Sequence, residues 1–471
     1  MNVVFRILIF SIIFSSTDAF AQLPEKNDKN VQSTFYANTT ASQPSTVKLS
    51  SSVWRIGKSE VNALLNLKSN QSLEVSNFPF EVINNSETQE KVSKPLKLNR
   101  YNVFAPNSKI YLLNSKGQKE LEKPEVMAFS SVEDGVGLLV NQSTGELGGF
   151  YNNGGVSVEI EGNIHTGMTF KLPLEPNQDT NVVKQCDMKM EQQPGNPLED
   201  LNTALKSKAI SFTKGTVNYE AVVAVDTDNE WMAGKGNNTT TAMNFIIQLF
   251  VNMNVFYERD FATRLLIGTT FLRTTTDPYP TESSIFNYLN DFGEYWRVNY
   301  PNIDREFALM LSSQNIGSLS FSGVAWLNQY CNKGALQNGG TETFGSYSMN
   351  RIGTSASVGF VSQFVAHELG HNFGSPHTHC YTPEVDQCYN GEGGCYAGAV
   401  SCPTFSGNNR GTIMSYCHFG APNGAGCGTS NEIFHPTVIG LISGRIASNF
   451  PSCIQSLGSE IIFENGFDGG P

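Results

Sequence analysis

Three features are scarce or missing in this sequence, and each absence argues against one class of protein or site. No apolar run reaches the length of a membrane span, since the most apolar one, residues 7–14, is too short. Basic residues number 31 against 43 acidic ones, the net charge is −12, and no basic stripe occurs. This argues against nucleic acid and anionic membranes as partners. The nine cysteines include no C-x-x-C pair.

Histidine is also rare, but three of the seven histidines fall within one motif. Residues 367–377 read HELGHNFGSPH, which matches the pattern H-E-x-x-H-x-x-G-x-x-H. His367 and His371 are four residues apart, so on a helix they lie on one face and can bind the same metal ion. Gly374 then allows a sharp turn, after which His377 supplies a third nitrogen.

The motif also contains a candidate base. Glu368 follows the first ligand, a position from which a carboxylate reaches the metal-bound water and not the metal. Three histidine ligands leave the fourth position of a zinc ion open, which is typical of a catalytic site. The alternative is a helix that carries two solvated histidines, but the complete pattern rarely arises by chance in a chain so poor in histidine.

A second motif lies downstream. Residues 411–416 read GTIMSY and place Met414 in a tight apolar turn. A methionine alone would usually fill space in a core. Together with HELGHNFGSPH, this turn makes the chain resemble the metzincin zinc endopeptidases, whose histidine motif is followed by a Met-turn beneath the metal. The resemblance implies one catalytic zinc ion on the three histidines, Glu368 as base, and hydrolysis of peptide bonds in proteins.

Among metzincins, the chain most resembles the reprolysin or adamalysin group. The segment HNFGSPH, the cysteine-rich stretch after it and the late Cys453 carry this likeness. Thr378 departs from it, because that group places an aspartate directly after the third histidine. Tyr416, two residues after Met414, instead resembles astacin-like and serralysin-like members, in which this tyrosine touches the metal or the oxyanion. We therefore expect Tyr416 to act in catalysis or, alternatively, only to pack.

Cysteine usage indicates an oxidising compartment. Eight of the nine cysteines surround the histidine motif: Cys331, Cys380, Cys388, Cys395, Cys402, Cys417, Cys427 and Cys453. They are interpreted as four disulfides, or alternatively as ligands of a second zinc ion, which the lack of C-x-x-C disfavours. Adamalysin-like proteins tie a mid-domain cysteine to one in the last helix, so the resemblance implies the pair Cys331–Cys453.

The ninth cysteine, Cys186, stands apart in the segment KQCD. A free thiol in an exported protein is a hazard unless something occupies it. Zinc binds thiolate strongly, so Cys186 could fill the open fourth position and exclude water. This arrangement resembles the cysteine switch of reprolysin and matrix metzincin propeptides. The alternatives are an unpaired buried thiol, or a bridge to the catalytic domain that leaves a different cysteine free.

The N-terminus is typical of a signal peptide covering residues 1–21. Arg6 precedes the apolar run, and Ala19-Phe20-Ala21 supplies small residues at the spacing of a cleavage site before Gln22. We therefore expect a secreted protein, either extracellular or periplasmic.

The remaining chain is predicted to divide into a propeptide (22–207), a catalytic domain (208–455) and a C-terminal tail (456–471). The propeptide begins with a loose polar segment (22–50), continues with alternating runs typical of strands (136–140, 147–151 and 156–160), and ends in a linker (174–207). The tail is interpreted as a frayed end or as an export tag.

Within the catalytic domain, apolar spacing predicts strands at 219–226, 265–268 and 307–311, and helices at 241–257, 285–298 and 434–449. The zinc helix is expected to begin near Ser355 or Ser357, either of which could cap it. Residues 344–349 are predicted to be the edge strand over which substrate lies. With the resemblance, the expected fold class is α/β. A metzincin-like catalytic domain, with a mixed twisted sheet, a zinc helix and a Met-turn, follows a β-rich propeptide domain.

Two further features are weaker. Glu220 lies where reprolysins carry a calcium ligand, so the resemblance implies a Ca²⁺ site there; the alternative is an ordinary carboxylate at a strand start. His379, His418 and His435 are interpreted as exposed or hydrogen-bonded histidines and not as ligands of a second ion.

The sequence as a whole predicts a secreted zinc-dependent endopeptidase made as a zymogen. It is expected to be a monomer that acts on proteins or peptides, without a nucleic-acid partner or a membrane span. The alternative is a catalytically inactive, zinc-containing, adhesin-like binding module. Inactive relatives usually lose the glutamate or a ligand, whereas this chain keeps Glu368 and all three histidines, which favours the enzyme.

Overall fold

The computed structural model describes residues 53–83, 89–153, 156–171, 183–189, 216–275, 277–282, 284–314, 319–353, 356–404, 409–428 and 430–458. The expected signal peptide, the polar segment 22–50 and most of the C-terminal tail lie outside these residues. None of the helices in the described part has the length and apolar character needed to span a bilayer.

Residues 53–171, here called the N-terminal region, are mostly β-structure. They comprise α1 (Lys58–Asn66), β1 (Ser72–Ile83), β2 (Gln89–Tyr101), β3 (Ile110–Asn114), β4 (Gly117–Leu121), β5 (Val126–Ser131), β6 (Val136–Asn141), β7 (Glu146–Asn153), β8 (Val156–Asn163) and β9 (Gly167–Lys171). Seven strands pair in the order β1-β2-β5-β6-β7-β8-β9, each antiparallel to the next. The three strands predicted from alternation are β6, β7 and β8, and Phe78, Phe129 and Tyr151 are buried in the core of this sheet.

Residues 216–458, here called the C-terminal region, form a mixed α/β structure together with a strand from the predicted linker. The elements are β10 (Val183–Lys189), β11 (Tyr219–Thr227), α2 (Asn229–Gly234), α3 (Thr239–Phe261), β12 (Thr263–Arg273), α4 (Ile285–Asn299), β13 (Phe307–Ser312), β14 (Leu319–Trp326), β15 (Ala335–Gln337), β16 (Glu342–Phe344), β17 (Tyr347–Arg351), α5 (Val358–Asn372), α6 (Pro436–Asn449) and β18 (Gln455–Ser456). The main sheet runs β10-β14-β17-β13-β11-β12-β3-β4, with β18 paired to β11.

Helices cover both faces of this sheet because successive residues of a buried strand point to opposite sides. Val223 and Val225 of β11 belong to a core shared with α3, α5 and α6. Ala224, between them, belongs to a separate core shared with α4. The sequence predicted these four helices, and Ser357 caps α5 by accepting a hydrogen bond from the Phe360 amide.

One predicted element is wrong. Residues 344–349 were expected to form the edge strand, but β17 lies between β13 and β14, and all five of its residues are buried. Within the C-terminal region the outer strand is β14, which runs antiparallel to β17. Its sequence, LSFSGVAW, carries serine and glycine among its apolar residues and gave no clear strand signal.

The two regions share one sheet. The β3–β4 hairpin of the N-terminal region extends the sheet at β12, where β3 pairs in parallel. At the opposite end, β10 pairs in parallel with β14. The segment expected to be only a linker therefore contains a strand that covers the outer edge of the C-terminal region.

Four disulfides stabilise the C-terminal region: Cys331–Cys453, Cys380–Cys395, Cys388–Cys417 and Cys402–Cys427. The structure joins Cys331 to Cys453, the pair that the resemblance implied, and places all eight cysteines in four disulfides. Cys186 is the ninth cysteine.

Candidate active site

Helix α5 and the turn that follows it bring three histidines together. His367 and His371 lie one helical turn apart on α5, and both are buried. The helix ends at Asn372, and Gly374 adopts a φ of +107°, a left-handed conformation that reverses the chain. His377 then returns to the same point. Its Nε2 atom and that of His367 each lie 3.1 Å from Nε2 of His371.

The second ring nitrogen of each histidine faces an oxygen. Nδ1 of His367 lies 2.6 Å from the carbonyl oxygen of Ile413, and Nδ1 of His371 lies 2.7 Å from that of Ser375. Nδ1 of His377 lies 2.7 Å from Oε2 of Glu392. Because each oxygen accepts a hydrogen bond from Nδ1–H, each Nε2 keeps its lone pair, and the three lone pairs point to one centre.

This arrangement fits a zinc ion. Two nitrogens that bind a tetrahedral zinc ion at about 2.05 Å lie about 3.3 Å apart, close to the separations observed here. Burial lowers the pKa of His367 to about 3 and also lowers the pKa values of His371 and His377. All three imidazoles are therefore neutral near pH 7, which is the form that binds metal.

Glu368 lies beside this centre, opposite strand β14. Its side chain is fully buried, and Gly323 of β14 contacts it so closely that a Cβ at position 323 would overlap the carboxylate. Only glycine leaves the carboxylate in its present position. The sequence motif identified Glu368, but it gave no indication that Gly323 belongs to the same site.

The predicted Met-turn lies under the histidines. Met414 is fully buried, and its sulfur packs against Gly370 of α5. Thr378, which replaces the expected aspartate, donates its backbone N–H to the carbonyl oxygen of Met414 at 3.0 Å, and its hydroxyl lies 3.3 Å from the same oxygen. The threonine thus ties the third histidine to the turn without a carboxylate.

Tyr416 is part of this cluster. Its ring centroid lies 4.0 Å from that of His377 and 6.2 Å from that of His367, and only 4% of the residue is exposed. The phenol therefore stands against two of the three histidines. This position agrees with the expected catalytic role and also with packing, so the role of Tyr416 remains a prediction.

Like Gly323, Glu392 is a site residue that the sequence analysis missed. Its Oε2 atom lies 2.7 Å from Nδ1 of His377 and 2.8 Å from Nε2 of His379, so one carboxylate oxygen contacts both rings. Burial acts to raise the pKa of Glu392, but electrostatic attraction and hydrogen bonds from the rings of His377 and His379 outweigh it and hold this pKa well below its usual range. His379 is therefore a hydrogen-bonded histidine, in agreement with its interpretation.

We expect Glu392→Gln to weaken zinc binding by about 10- to 100-fold, because outer-shell partners of ligating histidines typically contribute that much. An amide loses the negative charge that favours the Nδ1–H tautomer of His377. Competition with a chromogenic chelator measures the affinity. Glu384→Gln, a partly exposed glutamate in the same stretch, is the matched control. Equal zinc affinity in both variants would show that Glu392 only fills space.

Three other predicted residues lie elsewhere. His435 caps α6, where its Nδ1 accepts a hydrogen bond from the Thr437 amide. The ring of His418 packs against Phe419. Glu220 faces the Gly458 amide, and it belongs to none of the metal-compatible groups in the described part of the chain, so the expected calcium site gains no support.

Strand β10 brings Cys186 to the edge of the site. In the parallel pairing of β10 with β14, Cys186 is the partner of Gly323, the residue that contacts Glu368. The Cys186 side chain lies outside the described part of the structure.

A mixed sheet, a helix that carries two of three converging histidines, and a buried methionine turn beneath them define a metzincin-like fold. Residues 218–423 match the family model Reprolysin_5, described as metallo-peptidase family M12. Residues 218–423 are therefore similar to metallopeptidase family M12, in agreement with the resemblance that the sequence motifs carry.

The crystal structure of metalloproteinase-II from Bacteroides fragilis matches with a TM-score of 0.33 and 11% identity, over 69% of this chain and 86% of that chain. A search of curated proteins finds no match.

Proposed function

We propose that this protein is a secreted zinc-dependent endopeptidase, made as a zymogen and active as a monomer. The observation that carries the proposal is the convergence of three neutral, buried imidazoles beside a buried glutamate, next to β14, the outer strand of the C-terminal region. His367, His371 and His377 would hold the zinc ion, which supplies the Lewis acidity that makes water a nucleophile near neutral pH.

The residues of the chain account for the remaining steps. A substrate strand would pair with β14 by main-chain hydrogen bonds, in the place that β10 takes in the precursor. Glu368 accepts a proton from the attacking water and returns it to the amine that leaves. Tyr416 donates a hydrogen bond to the oxygen on which negative charge develops.

The direct test is incubation of the processed, zinc-loaded protein with an unfolded protein such as casein. We expect cleavage that stops when a zinc chelator is added and returns when zinc is restored. Absence of cleavage by the zinc-loaded protein would favour the adhesin-like binding module, and cleavage that resists chelation would indicate a contaminating protease.

We expect Tyr416→Phe to lower kcat by about 10- to 1000-fold with little change in KM, because an oxyanion donor acts only in the transition state. Steady-state kinetics on a peptide substrate measures both constants. Tyr389→Phe is the matched control, since its ring lies 5.1 Å from Tyr416 in the same cluster. An unchanged kcat would make Tyr416 a packing residue.

The zymogen proposal predicts that Cys186→Ser activates the precursor. The pairing of Cys186 with Gly323 places the backbone of this cysteine at the active-site edge, from which a thiolate could occupy the fourth zinc position. We expect the unprocessed variant to be at least about tenfold more active than the unprocessed wild type, because serine is a much poorer zinc ligand. Gln185→Ser, one position away in β10, is the control. A Cys186→Ser precursor as latent as wild type would show that the thiolate does not cause latency.

A further inference from the structure

Helix α3 is buried on nearly every side. Fifteen of its 23 residues are buried, and they do not form a single stripe. One side of the helix contacts β12 and the zinc helix, where the hydroxyl of Tyr257 donates to the carbonyl oxygen of Ala366 at 3.0 Å. The other side contacts β5, β6 and β7 of the N-terminal region. A helix with one apolar face suffices to cover a sheet, so the second apolar face of α3 requires a second partner.

The contact between α3 and the N-terminal sheet is a close one. A Cβ at Gly137 of β6 would lie 2.9 Å from the carbonyl oxygen of Val251 and 3.1 Å from Cγ2 of Val255. The ring of Phe150 in β7 meets that of Phe256 edge-on, at 5.6 Å between centroids. Helix and sheet therefore interdigitate at the density of a protein interior and not as two surfaces separated by water.

Main-chain pairing adds a second attachment. The N–H of Ile267 in β12 donates to the carbonyl oxygen of Val103 at 2.8 Å, and the N–H of Ala105 donates to the carbonyl oxygen of Ile267 at 2.9 Å. Beyond this point β3 continues the ladder along β12. Loss of the N-terminal region would leave the β12 edge unpaired and exposed.

Polar contacts extend the interface to the active-site helix. Glu159 of β8, whose side chain is 4% exposed, accepts a hydrogen bond from the Gly359 amide at 2.8 Å, in the first turn of α5. A carboxylate at this end of a helix satisfies an amide that has no partner within the helix, and it complements the helix dipole. Asn152 of β7 accepts from Arg259 of α3 at 3.0 Å.

We infer that the N-terminal region, residues 53–171, is a permanent structural partner of the C-terminal region, which remains bound without a covalent link after the chain is cut between β10 and β11. The mature enzyme is then a two-chain protein, in which β10 must leave β14 before an extended substrate can pair there. This inference rests on the proposed zymogen for the cut in the chain, but it concerns the association of the two fragments and not their activity.

The test introduces a site-specific protease sequence after residue 199 in the full-length Glu368→Ala chain, which cannot digest itself under the proposed mechanism. After cutting, size-exclusion chromatography at micromolar concentration in native buffer should give one peak with the mass of the uncut protein. Denaturing electrophoresis should resolve that peak into two fragments. Elution of the two fragments apart, whether soluble or aggregated, would overturn the inference.

Two variants locate the attachment. Phe150→Ala and Val255→Ala, on opposite sides of the interface, should each weaken association of the cut fragments by at least about 100-fold, as measured by dilution. Val53→Ala, an exposed apolar residue of the same region, should leave association unchanged. Equal association in all three variants would overturn the assignment of this interface. Because inactivity of the wild-type enzyme would not alter these results, failure of the proposed function and failure of this inference are distinguishable.

Discussion

Glu368→Ala is expected to retain zinc and fold but to lose nearly all peptidase activity. Glu368 is not one of the three proposed ligands, and its buried carboxylate is the proposed base beside the nitrogens that would hold the metal. General acid–base catalysis contributes about 10²- to 10⁴-fold, and this residue is proposed to act twice, so we expect a loss of about 10³-fold or more. Peptide kinetics gives the rate, and atomic absorption gives the zinc content.

Glu161→Ala is a suitable control for this variant, because it removes an exposed carboxylate from a strand of the N-terminal region. Both proteins should be purified in the same way, which accounts for contaminating proteases. Near-wild-type proteolysis by Glu368→Ala would contradict the mechanism. Loss of zinc together with loss of activity would instead show that Glu368 helps to bind the metal.

The second large effect is expected from Gly323→Ala, far from the histidine motif in sequence. The backbone of β14 is extended at this position, so alanine meets no conformational penalty there, but its methyl group would overlap the Glu368 carboxylate. The carboxylate must then move. Misplacement of a catalytic group by about 1 Å costs on the order of 10²-fold in rate. We therefore expect kcat of the processed enzyme to fall about 100-fold with zinc content unchanged.

Gly440→Ala provides the matched control, because no atom lies within 4 Å of the position that its Cβ would take. Gly440 lies in α6, and alanine there should leave activity unchanged and slightly raise stability. If Gly323→Ala were as active as Gly440→Ala, the close contact between β14 and Glu368 would have no catalytic significance.

The three histidines and Glu368 could be predicted to lie together because their spacing reflects local geometry. Two histidines four residues apart must lie on one face of a helix, and Gly374 permits the chain reversal that returns His377 to them. Glu392 could not be found this way, since it follows His377 by 15 residues in a stretch whose path depends on disulfides. Gly323 could not be found either, because its role depends on which strand lies opposite α5.

The helices of the C-terminal region were predictable for a similar reason. Their apolar residues recur with the period of a helix, and their first residues follow capping side chains such as Asn238 and Ser284. The strand order was not predictable from these patterns. The pattern of residues 344–349 does not distinguish a buried strand from an edge strand, so the outer strand was expected there and not at β14, which comes three strands earlier in the chain. No local sequence pattern indicated that the N-terminal and C-terminal regions share one sheet.

The disulfides also determine when the site can be completed. Three of the four disulfides fall between residues 380 and 427. Between these disulfides the described residues form no helix, and their β-structure is limited to isolated single-residue pairs. Glu392 lies inside the loop closed by Cys380–Cys395. In a reducing compartment this stretch would lack both regular hydrogen-bonded structure and covalent closure, and the carboxylate that orients His377 would have no fixed position. For the secreted enzyme proposed above, we therefore expect the disulfides to form after export and before zinc is bound tightly, so that the site is incomplete inside the cell that synthesises the protein.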